Sequence, residues 1–584
     1  MPLTCCQLVR RGRYVAAEPY AGGGLISLSN GKQFFDDAGK LALVATTVNI
    51  GRVVEILGDE TDIRAALRGL LADAGRLGPV PPPGRSVDDP TPDMQRELDD
   101  LPREIPFAAS RLDLRFQPCI TIDPPGAKDF DDAIHVDRTD AGFTLWVHIA
   151  DVSAYVPTGS ALDTDARERA MSTYVPGMVA PMLPMLLSSD LCSLRPGVDR
   201  GCVSVELLLD HDGELVSQRF ARTLIRSSRR LTYHDADRVL NSTGSIDAVL
   251  DEQLAVIDDL TTRRKQQRIA RGALAMELPE LTISLDGVRV GEATMEPASP
   301  SHRLVEECML LANEAVGERL AQAKVPGIWR VHDDPDPAAV ESLVKMFEHL
   351  AVPTPPLPDA FTGRAAARLT SDIAVLVRQY VNAKGRGELA YLPRVLRALQ
   401  RARYDAAPGW HSGLAAKNYA HFTSPIRRYP DLVNHRSLLR LLGLSDEAPA
   451  AIDVSTIAEH VSWVEGESVA VERRANAVAL SHRMFEGMYD RNYSLASLGA
   501  DNVDRFTGEV VGLIASGCFV RFGSVFDGFV PARTMSAAER YDLDETGLAL
   551  VGGKSGHTIT LGDVIKVRVD GVDRSAGKIS LRLA

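Results

Sequence analysis

Four carboxylates crowd one short stretch of the chain. In TIDPPGAKDFDDAIHV, Thr121 to Val136, Asp123, Asp129, Asp131 and Asp132 fall within ten residues. Carboxylates this close repel one another unless protons or cations neutralise them. Hard oxygen donors of this kind suit Mg²⁺, with Mn²⁺ as the alternative. Two such ions roughly 4 Å apart can clamp a phosphodiester, one activating water and the other stabilising the leaving oxygen. The bare DxxxxxDxDD spacing leaves two rival readings open. One is a solvated acidic turn. The other is a calcium loop, although the EF-hand order and its closing glutamate are absent. Pro124, Pro125 and Gly126 predict a bent, poorly helical connection inside the cluster.

Elements must hold such a cluster in place. Residues 12 to 58 read as short strands: Arg13 to Tyr20, Gly24 to Ser29, Lys32 to Phe35, Leu41 to Thr47 and Gly51 to Leu57. Asn30-Gly31 is a two-residue hairpin signal. Five short strands suggest a small barrel of OB or cold-shock type, with an unspecific β domain as the alternative. Residues 61 to 75 read as a helix, and Leu77 to Asp93, rich in proline and acids, as an extended linker. From Pro106 to Leu442 strands such as Phe143 to Ile149 and Val203 to Leu209 mix with helices such as Ser301 to Ala323 and Asp431 to Leu442. Residues 455 to 490 read as one long charged helix. Residues 505 to 584 return to short strands and Gly-rich turns and fit a second five-stranded barrel.

The bulk numbers agree with a large soluble protein. At 584 residues the chain exceeds what one core supports, so three or more domains are expected. No run of about 18 apolar residues appears, so no membrane span is expected. The N-terminal stretch carries no apolar segment of signal-peptide length. Seven scattered cysteines with no CxxC pair argue against disulfides and zinc and predict a cytoplasmic protein. The net charge of −13 argues mildly against nucleic acid, but a local basic channel can hold RNA under an acidic exterior.

The cluster has company. LWVHIADVSAYV (Leu145 to Val156), MSTYVPGMVAPMLPMLLSSDLCSLRP (Met171 to Pro196), RTLIRSSRRLTY (Arg222 to Tyr233) and ARYDAAPGWHSGLAAKNYAHFTSPIRRYPDLVNHRSLL (Ala402 to Leu439) follow it in order. Together these segments closely resemble the catalytic domain of the ribonuclease II / ribonuclease R (RNB) family over roughly residues 100 to 490. HRLVEECMLLAN (His302 to Asn313) and RVHDDPDP (Arg330 to Pro337) look closer to the ribonuclease R side.

The resemblance implies roles residue by residue. Asp123, Asp129, Asp131 and Asp132 match the family's magnesium-binding aspartates, and Asp131 is the least replaceable. Asp131, Asp132 and Arg427 are the implied catalytic residues. Arg427 in TSPIRRYPD matches the arginine at the scissile phosphate, where a guanidinium can pair two oxygens; a salt bridge to the aspartates is the alternative. Arg428 reads equally as an RNA contact or a structural residue. Tyr174 in STYVPG matches an aromatic that stacks on a base near the 3′ end, with a core tyrosine as the alternative. No role is carried over to His302, Arg303 or His332. Ser412 replaces the aromatic that usually follows the histidine of the HxGLA segment. The helix ERRANAVALSH (Glu472 to His482) is less charged than in relatives, so no further residue is assigned there.

The C-terminal region resembles an S1 domain, in which Phe519 is the expected RNA-facing aromatic, against a core position. The implied fold is multidomain: an α+β RNB catalytic domain flanked by all-β OB-type barrels, cold-shock-like at the N-terminus and S1 at the C-terminus. The expected boundaries are 1–60 for the first barrel, 61–105 for a helix and linker or a degenerate second barrel, 106–490 for the catalytic domain and 500–584 for S1. The implied reaction is processive, Mg²⁺-dependent 3′ to 5′ hydrolysis of single-stranded RNA to 5′-nucleoside monophosphates, by a monomer. The lysine-rich tail common in ribonuclease R does not follow the S1 strands here, which leaves help with structured RNA open.

Overall fold

The computed structural model describes residues 2–47, 50–78, 86–274, 276, 279–447, 451–489, 495–501 and 504–584. Strands Leu3–Arg11, Tyr14–Pro19, Ile26–Leu28, Lys40–Thr46 and Ile50–Asp59 close a barrel in the order first, second, third, fifth, fourth. Period-two alternation fills it with Cys6, Leu8, Val15, Ala17, Ala42, Val44 and Val53.

Two expectations fail in this barrel. The strand expected over Lys32–Phe35 is part of a 3₁₀ helix, Gly31–Asp37, and the first strand, Leu3–Arg11, went unread. Asn30-Gly31 makes no hairpin. The Asn30 side chain instead bonds the Val53 backbone on both sides, accepting from N–H at 3.1 Å and donating to C=O at 3.2 Å. A Cβ at Gly31 would stand 2.4 Å from the Val15 carbonyl oxygen. The dipeptide is there for docking and close approach, not for turning.

Helix Ile63–Asp73 follows, capped by Asp62, whose carboxylate accepts from Arg64 N at 2.9 Å. The described residues of 61–105 hold this helix and Pro92–Asp99 and no strand, so no second barrel is found among them. Residues 79–85 of the expected linker lie outside the described residues.

The body is built on a seven-stranded sheet. Its order is Arg229–Thr232, Ile120–Asp123, Asp132–Thr139, Gly142–Ala150, Asp199–Leu209, Leu215–Arg226 and Leu112–Asp113. The two outer pairings are parallel and the rest antiparallel. Alternate residues face two cores. Ile134, Val136, Leu145, Val147 and Val203 meet helices Ala248–Ala270 and Pro300–Ala323. Ala133, Trp146, Ala150 and Cys202 face the other side, with Leu432 and Val433 of helix Tyr429–Leu441 and Val454, Ile457 and Val461 of helix Ala451–Tyr489.

Helix Ala451–Tyr489 runs on into the C-terminal barrel, whose core takes in Leu480 and Met484. Strands Phe506–Ile514, Gly517–Phe522, Phe526–Pro531, Val564–Asp573 and Lys578–Leu583 close that barrel, and a three-stranded sheet is inserted before its fourth strand. Glu509 fastens the barrel to the body by accepting from the N–H groups of Gly387 (3.0 Å) and Ala390 (2.8 Å), at the start of helix Glu388–Arg397. Arg574 pairs with Glu60 at 2.9 Å, joining the two barrels. Among the described residues no helix is long and apolar enough to cross a membrane.

Candidate active site

The central strands deliver the acidic cluster to one end of the sheet. Ile120–Asp123 ends in Asp123, and its antiparallel neighbour Asp132–Thr139 begins with Asp132. The connecting loop is held from both sides. Phe130 N–H donates to Ser193 Oγ (3.1 Å), which donates to Lys128 O (2.7 Å). Asp131 O accepts from Ala150 N at 2.9 Å. Asp131 itself is only 4% exposed. A solvated acidic turn is therefore excluded for its central member.

Burial sets the electrostatics. It pushes the Asp123 carboxyl up to about 7, and the negative charges of Asp132 and then Asp129 add to it. Burial pushes Asp132 up to about 6 against the opposing pull of Arg427 and Arg428. Asp131 is raised well above the carboxylate range by burial, opposed by Arg427 and by the Ile426 N–H, which donates to Asp131 Oδ1 at 2.8 Å. Asp123 Oδ2 and Asp131 Oδ2 are buried and receive no hydrogen bond. An unsatisfied buried acceptor costs about 1–3 kcal/mol, more when charged. A cation would relieve both the repulsion and the missing partners, so the donors fit a hard divalent ion. Among the described residues no three His, Cys, Asp or Glu side chains are grouped so as to hold a metal by themselves. A divalent ion there would need water or substrate phosphate to complete its shell.

Arg427 arrives from far along the chain. Its Nε stands 3.6 Å from Asp131 Oδ2, an ion pair too long to be a hydrogen bond, and Nη2 donates to Ser424 Oγ at 3.1 Å. The side chain is 43% exposed, so its guanidinium keeps an open face toward an incoming anion. Arg428 differs. Its fork closes on buried Asp431, Nε to Oδ2 at 3.0 Å and Nη2 to Oδ1 at 2.8 Å, and Asp431 Oδ1 also accepts from Ser424 N. Arg428 thus secures the loop that presents Arg427, which favours its structural reading over RNA contact.

Tyr174 lies on strand Thr173–Val175 and is 40% exposed, not in the core. Its hydroxyl donates to Asp129 Oδ2 at 2.9 Å, which brings the fourth aspartate and the aromatic together. Its backbone N–H donates to Glu472 Oε1 at 3.2 Å. Phe519 projects from the C-terminal barrel at 43% exposure beside Phe529 (ring centroids 5.0 Å apart), while Val520 and Phe522 point inward. Ser412 sits in a packed 3₁₀ turn by the His332–His411 ring pair. His332 is occupied by Gln400 O and Gly413 N, and Arg303 pairs with Asp258.

Two residues facing the site were not singled out by sequence. Tyr233 is stacked on His302 at 3.7 Å, and its hydroxyl is held up by burial and by the charges of Asp132 and Asp123. Glu472 is the other. Both fall in the quoted segments RTLIRSSRRLTY and ERRANAVALSH, but nothing local distinguishes them from neighbours.

The comparisons with known proteins agree with this geometry. The RNB domain model matches residues 111–443, and the S1 RNA binding domain model matches residues 503–583. Ribonuclease R of Escherichia coli (strain K12) is 33% identical over 556 residues, covering 92% of this chain and 64% of that protein. Ribonuclease R of Aquifex aeolicus (strain VF5) is 32% identical over 548 residues, covering 91% of this chain and 72% of that protein. The chain thus spans about two thirds of the length of these relatives. The apo form of Mycoplasma genitalium RNase R superposes with a TM-score of 0.84 at 24% identity, covering 100% of this chain and 90% of that one, and so shares the fold. A complex of that RNase R with ribose methylated single-stranded RNA gives a TM-score of 0.83 at the same identity and the same coverage. On the RNB and S1 matches and the ribonuclease R relatives, the chain belongs to the ribonuclease R family of RNB-domain proteins.

Proposed function

We propose that the chain is a Mg²⁺-dependent 3′ to 5′ exoribonuclease that hydrolyses single-stranded RNA to 5′-nucleoside monophosphates as a monomer in the cytoplasm. The observation that carries this reading is the group of buried Asp131 and half-buried Asp123 and Asp132 at the sheet end, with Arg427 paired to it and partly exposed Tyr174 beside it. Family membership and the RNA complexes solved for a relative of the same fold support it. In this reading residues 1–60 and 500–584 grip RNA, and 106–490 cuts it.

The residues divide the work. Asp123, Asp129, Asp131 and Asp132 would hold the magnesium. When bound, that ion supplies a nucleophilic water and shields the developing charge. Arg427 pairs the oxygens of the scissile phosphate and stabilises the charge that builds on them. Asp131 keeps Arg427 at the site through their ion pair. Tyr174 stacks on a base near the 3′ end and reads a π-face, not a sequence, which lets each new terminus be accepted in turn. Phe519 stacks RNA further upstream.

The test is an RNA labelled at either end, incubated with wild type in Mg²⁺ or EDTA. The reading expects the 3′ label to leave at once as a mononucleotide, the 5′ label to stay on a shrinking strand, and EDTA to stop both. Internal fragments, or mononucleotides released first from the 5′ end, would contradict it.

A further inference from the structure

Tyr174 carries two chemically separate parts, and the aromatic stack uses only one. The backbone under it is fixed on three sides. Thr173 Oγ1 meets Ser468 Oγ at 3.2 Å, Tyr174 N–H donates to Glu472 Oε1 at 3.2 Å, and Gly177 in the turn packs so tightly that a Cβ there would stand 2.3 Å from Leu285 Cδ1. From this anchored hairpin the phenol reaches the acidic loop, and its hydroxyl donates to Asp129 Oδ2 at 2.9 Å. Among the described residues this is the only hydrogen bond to the Asp129 side chain. Asp123 and Asp132 lie on strands, and Asp131 is held by the Ile426 N–H. Asp129 sits between these fixed points on the loop, so its rotamer depends on Tyr174.

We infer that the Tyr174 hydroxyl is a positioning group that orients the Asp129 carboxylate for the divalent ion, independently of the ring's contact with RNA. The inference rests on the metal-dependent reading above. A carboxylate that must rotate freely before it can ligate loses part of its binding free energy to ordering. A hydrogen bond from outside the metal shell removes that loss, and such partners typically change metal affinity or activity 10- to 100-fold when deleted.

The test is Mn²⁺ binding to the full chain, read as free Mn²⁺ by electron paramagnetic resonance. Wild type is compared with Tyr174→Phe, Asp129→Asn and the double variant. Tyr174→Phe removes one oxygen and keeps the ring, so its affinity is expected to fall about tenfold. Asp129→Asn should lose at least as much, and the double variant no more than Asp129→Asn alone, because the hydroxyl acts only through that carboxylate. With RNA as substrate, Tyr174→Phe should lower kcat at saturating RNA and leave KM unchanged. Wild-type Mn²⁺ affinity in Tyr174→Phe, additive losses in the double variant, or a wild type that binds no Mn²⁺ each overturns the inference. Should wild type bind Mn²⁺ yet leave RNA intact, the exonuclease reading fails while the Mn²⁺ titrations still judge this one.

Discussion

Asp131 is 4% exposed and Phe519 is 43% exposed. The first belongs to a group of carboxylates driven into the end of a sheet, with two oxygens left unsatisfied and two carboxyls pushed up to about 6 and 7. The second stands on a barrel whose inner face is filled by Val520, Phe522 and Val530. The acidic end is strained by design of its surroundings: strand ends, a serine-latched loop and a distant arginine hold like charges together. The barrel face carries no such cost. The difference teaches where to look for chemistry and where for grip, since strongly raised carboxyls cluster at sites that bind something.

The comparison can be broken at either region. The largest effect is expected at Arg427, where Arg427→Ala should lower kcat roughly 10²- to 10³-fold, as for other donors aimed at developing charge. Single-turnover kinetics would show it, and a loss confined to KM would move Arg427 to the gripping side. Arg428→Ala should act on stability instead. It leaves fully buried Asp431 without its ion partner, and about 3 kcal/mol of unfolding free energy should go, measurable by urea titration. Tyr174→Ala should raise KM for RNA by the loss of about 1–3 kcal/mol of stacking, seen in direct RNA titrations, on top of the kcat loss that Tyr174→Phe shows by itself. The smallest effect is expected from Phe519→Ala. It should weaken long RNA by about 1 kcal/mol and leave oligomers too short to reach the barrel unchanged. Equal losses on short and long RNA would bring Phe519 into the catalytic region and erase the contrast.

Much of this was legible in the chain because the acidic residues are local. Asp123 and Asp132 announce themselves within one segment, but the strands Ile120–Asp123 and Asp132–Thr139 that carry them do not. The second barrel and the long helix were legible for the same reason. Pairings across long separations were not. A salt bridge from Arg427 to the aspartates was the alternative reading, but nothing near Arg427 picks out Asp131, and nothing near Tyr174 points to Glu472 or Asp129. Arg428 and Arg427 are adjacent and alike in type, yet one closes on Asp431 and the other does not. In the first barrel the misreading was local. Asn30-Gly31 is equally apt for a hairpin and for side-chain docking, and only Val53, on another strand, decides. The strand Leu3–Arg11 was missed because two of its buried residues are Cys5 and Cys6, read as thiols and not as small apolar groups.

The central claim is that the carboxylate group performs the cut and the exposed aromatic rings hold the strand. Asp131→Asn tests it most directly, with RNA binding and RNA shortening measured on the same preparation in Mg²⁺. The account predicts that this variant binds single-stranded RNA about as tightly as wild type and releases no mononucleotide. A variant that still shortens RNA at the wild-type rate would contradict it, as would a wild type that binds RNA and never shortens it.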